Sequence, residues 1–272
     1  MTAPDASRIF RHVRIARPWR ALRTGLAFAS FGGLALWLRV SSIPWIRWTC
    51  PDENERQLRV QGVVNQTYAR FMRLMSGLGL MRYRAFGLER LREPGVLVVA
   101  NHPTLIDVVA VLGEMPSADC ITKLGNAQNP FMGGVIAAAG YIINTGGQSI
   151  VDTCAARLAQ GRSLVVFAEG TRSPKGGLGP FHRGAAYIAM ASGRPLLPVV
   201  ATCDPPTLMR GQPWYDVPDR PFEYTLRVGE PIDVRPYQEA IARGEPRGRV
   251  ARRLTAELRE YFAKALEDAG HR

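Results

Sequence analysis

Two short stretches carry side chains whose types and spacing could do chemistry. The first is Gly95-Val96-Leu97-Val98-Val99-Ala100-Asn101-His102-Pro103-Thr104-Leu105-Ile106-Asp107, where an apolar run ends in a polar turn bearing an imidazole and, five residues on, a carboxylate. A carboxylate that fixes one ring nitrogen of a histidine sets its tautomer and leaves the other nitrogen free to take a proton from a hydroxyl. Residues five apart do not share a helix face. The pair can meet only if His102 sits in the turn and leans back over the first helical turn. Thr104 is the nearest hydroxyl, and local hydrogen bonding accounts for it better than nucleophilic attack. A purely structural reading competes, with His102 capping the helix and Asp107 offsetting its dipole.

The second stretch is Phe167-Ala168-Glu169-Gly170-Thr171-Arg172-Ser173-Pro174-Lys175-Gly176-Gly177. Glu169 leaves an apolar strand into a glycine-containing turn, where a carboxylate can orient a hydroxyl or pin neighbouring backbone. Arg172 and Lys175 offer charge-assisted bonds to phosphate, and the glycines allow close backbone approach to a ligand. A solvated basic loop has the same composition. Two strand-end sites with complementary groups, His/Asp and Glu/Arg, on one sheet favour the chemical reading.

The elements that must position these residues alternate along the chain. Apolar runs predict strands over 81–86, 95–100, 119–123, 141–143, 163–168 and 195–201. Helical patterns start at Pro103, which fits a first helical position, and cover 129–140, 149–160 and 183–192. This order predicts an α/β fold, a layered and largely parallel or mixed sheet flanked by helices. Residues 222–228 alternate strictly and read as an edge strand. Residues 250–266 read as a charged amphipathic helix after a polar linker over 244–248.

With 272 residues, 46% of them apolar, the chain can bury a substantial core. Its formal net charge of +12 favours anionic surroundings, whether nucleic acid, anionic lipid or a phosphate-bearing substrate. Nucleic acid is set aside because basic and aromatic residues do not interleave and the basic excess lies beside an apolar helix. The four cysteines, Cys50, Cys120, Cys154 and Cys203, stand far apart and read as buried thiols in a reducing compartment. The four histidines are equally scattered, so no metal site is expected.

Arg8, Arg11, Arg14, Arg17, Arg20 and Arg23 precede fifteen uncharged residues, 24–38. That run falls short of the roughly 20 residues a crossing helix needs. Arg39 follows it, and then a second apolar piece, 40–46, with Pro44 and flanking Trp45 and Trp48. The composition suits an interfacial or re-entrant helix with indoles at headgroup depth; a full crossing, a signal peptide and a buried hairpin are the alternatives. The expected organisation is a membrane-associating helical segment over 1–50 and an α/β domain over 51–272. Within 51–272, a polar junction at 51–55 opens an amphipathic helix running through 60–80, ended by Gly77 and Gly79. A peripheral or re-entrant anchor would hold the domain on the cytoplasmic face of an inner membrane.

Asn101-His102-Pro103-Thr104-Leu105-Ile106-Asp107 resembles the His-x4-Asp signature of the glycerolipid acyltransferases, among them the bacterial 1-acylglycerol-3-phosphate acyltransferases. Phe167-Ala168-Glu169-Gly170-Thr171-Arg172-Ser173 resembles their Phe-Pro-Glu-Gly-Thr-Arg-Ser block, at a similar interval. Leu197-Pro198-Val199 resembles their last Pro-containing block. The likeness covers roughly residues 80–205. It implies acyl transfer from a thioester, acyl-CoA or acyl carrier protein, to a hydroxyl of a lysophospholipid or related lipid, with no bound cofactor. His102 would be the general base and Asp107 its holder. Glu169, Gly170, Thr171, Arg172, Lys123 and Asn144 would form the acceptor and phosphate site. Membrane lipids, an anionic membrane surface and an acyl carrier protein are the implied partners.

Three departures stand out. Thr104 replaces a frequent Ser, Ala168 the usual Pro, and Gly140-Tyr141-Ile142-Ile143-Asn144-Thr145 lacks the arginine that the family places in its second block. The other class of function is a noncatalytic membrane lipid-binding protein with an acyltransferase-like fold.

Overall fold

The computed structural model describes residues 17–175 and 177–270. Arg8, Arg11 and Arg14 of the basic run, and Gly176 of the second loop, lie outside the described residues. The first helix, α1 (Arg17–Trp37), passes through a wide π-turn (Leu38–Ser42) into α2 (Ile43–Thr49), making one rod of 33 residues. The two apolar pieces read from the sequence are therefore continuous. Pro44 takes an N-terminal position of α2, and the wide turn just before it accommodates the missing N–H and the bulk of the ring. By length and composition the rod suits a membrane. Its outward face shows Leu26, Leu36, Trp37, Val40, Trp45 and Trp48.

The inward face packs on α3 (Glu53–Gly77), where the Phe31 ring lies 4.8 Å from Phe71 and 5.6 Å from Tyr68. Asp52 caps α3, its carboxylate accepting from the Glu55 N–H at 2.7 Å, and Glu53 and Glu55 lie in the positively polarised first turn. Gly79, left-handed at φ 68°, turns the chain away from α3.

Then follow β1 (Met81–Phe86), β2 (Leu97–Ala100), α4 (Asp107–Glu114), β3 (Asp119–Thr122), the one-turn α5 (Leu124–Ala127), α6 (Gly133–Ala138) and β4 (Ile142–Ile143). The chain continues through α7 (Gln148–Ala159), β5 (Leu164–Phe167), α8 (Gly184–Ser192), β6 (Leu196–Asp204), β7 (Phe222–Val228), α9 (Arg235–Ala242) and α10 (Arg247–Asp268). The sheet order is β1-β7-β6-β2-β5-β3-β4, and every pairing is parallel except β6 with β7. One core lies under α1 to α4 and α6, the other under α7 to α10.

Two expectations are corrected. Residues 222–228 form an interior strand, β7, between β1 and β6. Its alternation records one face on the core, with Phe222, Tyr224, Leu226 and Val228 buried, and one face partly open; it does not record an edge. The helix after β2 begins at Asp107 and not at Pro103, because residues 101–106 form a turn closed by the Asp107 side chain.

Candidate active site

Ala100 of β2 pairs with Phe167 of β5 in parallel register, so the two chemistry-bearing loops leave the sheet side by side at its C-terminal edge. Asn101 fixes the first loop. Its amide accepts from the Ala201 N–H at 2.7 Å and donates to the Ala201 carbonyl at 2.9 Å, extending the ladder to β6 with a side chain. Glu169, 3% exposed, fixes one loop to the other. It accepts from the His102 N–H at 3.2 Å, the Ser173 hydroxyl at 2.6 Å and the Gly179 N–H at 2.7 Å. The Ser173 N–H returns to the His102 carbonyl at 2.7 Å. Glu169 thus pins backbone, and the neighbours that follow it, Gly170, Thr171 and Arg172, line the adjoining cavity.

His102 leans back as its spacing requires. Nδ1 lies 2.7 Å from Asp107 Oδ2, and the ring rests on Phe167 with centroids 4.7 Å apart. A carboxylate only accepts, so Nδ1 carries the hydrogen, and in the neutral ring that tautomer puts the lone pair on Nε2. Asp107 is fully buried and takes three further hydrogen bonds: from the Thr104 N–H at 2.6 Å, the Thr104 hydroxyl at 2.6 Å and the Tyr224 hydroxyl at 2.8 Å. Its place at the start of α4 adds the favourable end of the helix dipole. Burial, and then the Asp107 charge, hold the Tyr224 phenol well above its ordinary pKa, so it stays a neutral donor.

Sequence reasoning missed Tyr224, whose inward position on an alternating strand looks like core. It also missed His182, in the loop just ahead of α8, which lines the cavity with His102. A Cβ on Gly170, which is left-handed at φ 61°, would stand 3.1 Å from the His182 ring.

The cavity has a volume of about 650 Å³, within the range for small-molecule sites. His102, Lys123, Asn144, Gly170, Thr171 and Arg172 all contribute to its lining, together with apolar side chains from α1, α3, α4, α6, α7 and α8. Arg172 is braced by Nη1 donating to the Leu208 and Met209 carbonyls at 3.3 and 3.1 Å. The four cysteines are free and buried. Among the described residues no group of three His, Cys, Asp or Glu side chains is arranged to hold a metal ion.

The acyltransferase family model matches residues 82–202, which include both loops. A chloroplastic 1-acyl-sn-glycerol-3-phosphate acyltransferase of Brassica napus is 33% identical over 120 residues, 42% of this chain and 35% of that protein. A 1-acyl-sn-glycerol-3-phosphate acyltransferase of Helicobacter pylori is 38% identical over 101 residues, 34% of this chain and 42% of that protein. The alignments thus span under half the length of these curated relatives. The fold is shared with the crystal structure of the 1-acyl-sn-glycerophosphate acyltransferase of Thermotoga maritima. There the TM-score is 0.68 at 21% identity, over 93% of this chain and 98% of that one.

Proposed function

We propose, for a chain whose residues 82–202 belong to the glycerolipid acyltransferase family, transfer of an acyl group from a thioester to a hydroxyl of a lysophospholipid or related lipid. The observation that carries this reading is the His102–Asp107 pair, 2.7 Å apart at the edge of an apolar cavity of about 650 Å³. Nε2 of His102 takes the proton of the acceptor hydroxyl as its oxygen bonds to the thioester carbon. The carbon–sulfur bond then breaks, and the proton passes to the departing thiolate. Asp107 stabilises the imidazolium formed between these steps, and its own charge is held by four donors.

The donor is acyl-CoA or an acyl carrier protein. The acceptor's anionic group is met by Arg172 and Lys123, with Asn144, Gly170 and Thr171 beside them, and Glu169 acts by holding their loop against His102. Residues 1–50 serve as the membrane-associating segment and 51–272 as the catalytic domain. The rod lies peripherally or re-entrantly on an anionic membrane, with the catalytic part on the cytoplasmic face.

The test is thiol release with acyl-CoA and acyl carrier protein donors against a panel of lysolipids, with the product mass measured. His102→Ala should lower transfer by about 10²–10⁴-fold with the fold retained. A folded His102→Ala protein with near-wild-type transfer, or vesicle binding with no thioester consumed by the wild type, sinks the enzyme reading. Arg172→Ala should raise KM for phosphorylated acceptors by about tenfold, the loss of one charge-assisted pair. An unchanged KM removes Arg172 from the phosphate site.

A further inference from the structure

The cavity beside His102 does not stay on one face of the sheet. Side chains alternate along β5: Phe167 packs with the core under α3 and α4, Val166 and Ala168 with the core under α7 and α8, yet all three line this one cavity. On β3, Cys120 and Ile121 divide in the same way. The apolar lining divides between the two cores, with Phe31, Tyr68, Phe71, Val109 and Val135 on the first side and Ile121, Ile150, Val151, Val166, Ala185 and Ile188 on the second. His102 and Phe167 stand at the C-terminal edge of the sheet, between these two sides. The cationic lining, from Lys123 and Arg172, comes from loops at that same edge.

Direct transfer requires both reactants at His102 together unless a side chain stores the acyl group between steps. The Thr104 hydroxyl donates to Asp107, and burial pushes the Cys120 thiol up to about 12, so neither is an activated nucleophile. The acyl donor brings one hydrocarbon chain and a lysolipid brings another. Two chains leaving one reacting centre need separate apolar paths.

We propose that these two sides of the cavity are two arms holding two hydrocarbon chains at once, the donor's acyl chain in one and the chain of a single-chain lipid acceptor in the other. The protein would then select acceptors that already carry a hydrocarbon chain. This rests on the acyl-transfer reading and adds to it a division of the cavity.

Ile150→Trp and Ala185→Val narrow one arm; Val135→Phe and Phe31→Trp narrow the other. Ile150 is only partly buried, which lets that variant probe its arm even where Ala185→Val lowers stability. The experiment measures kcat/KM over a grid of short- and long-chain acyl-CoA donors against short- and long-chain lysophosphatidate, with glycerol 3-phosphate as the chainless acceptor. Narrowing one arm should weaken the preference for long donors alone, and narrowing the other the preference for long acceptors alone, by about fourfold per methylene excluded. Wild type should acylate glycerol 3-phosphate poorly.

The division is overturned if both sets of variants shift the dependence on the same substrate. It is also overturned if narrowing the arm beside α7 and α8 alters neither chain preference, as a pantetheine path there would give, or if glycerol 3-phosphate and lysophosphatidate are acylated equally. A wild-type protein that acylates none of these acceptors and releases no thiol with any other lysolipid rejects the acyl-transfer reading itself.

Discussion

Asp107 gathers the hydrogen bonds of the candidate site onto one side chain. A fully buried carboxylate is costly unless every lone pair is met, and here four donors meet it, one of them the imidazole it must hold. Tyr224→Phe removes one donor and leaves the ring packing intact. We expect kcat to fall about three- to tenfold with KM unchanged and stability to drop by about 1 kcal/mol, as read by steady-state kinetics and urea unfolding. Equal kcat in a folded Tyr224→Phe protein would show that the phenol does not help to position Asp107. His102 and Asp107 were legible in the sequence because turn chemistry and a strand end bracket them. Tyr224 was not, for it stands 117 residues from Asp107 and only the β6–β7 hairpin brings it there. The Glu169 carboxylate was legible as a group of interest, but its choice between ligand and backbone depended on Gly179, ten residues on.

At the scale of elements, Asp119 does for the scaffold what Asp107 does for the site. It opens β3 fully buried and accepts from both Arg162 Nε and Nη2 at 2.8 and 2.6 Å, from Arg157 at 2.8 Å and from Gln61 at 2.9 Å. These bonds tie α3 and α7 to the start of β5. Asp119→Ala leaves the Arg162 guanidinium buried without a counter-charge, with Asn54 Oδ1 still accepting from its Nη1, and should destabilise the fold by about 3–5 kcal/mol in urea unfolding. The Asp119→Leu/Arg162→Met double variant should recover most of that loss; failure to recover would mean that the network carries more than paired charge. Most elements were readable from apolar runs, because a buried parallel strand such as β2 has little else in it. Three features were not. The start of α4 is set by a side chain closing a turn, β7 looked half-exposed without being an edge, and α9 is a short helix whose Pro236 obscures its pattern.

For the whole molecule, the formal charge of +12 and the outward indoles of the rod are both suited to the proposed partner, an anionic membrane. The full chain should float with vesicles containing phosphatidylglycerol, and raising salt from about 0.05 to about 0.5 M should weaken that binding several-fold without abolishing it, since apolar burial is not screened. Binding that vanishes at high salt would assign the attachment to charge alone. The basic and apolar composition of this region was plain in the sequence. Its inner face was not, because what Phe28 and Phe31 touch depends on how α1 crosses α3. Those rings belong both to the apolar rod and to the wall of the cavity beside His102. On the proposed function, removing α1 would therefore open a wall of the cavity as well as release the protein from lipid, and a shortened form should differ from the full chain in which acyl lengths it accepts.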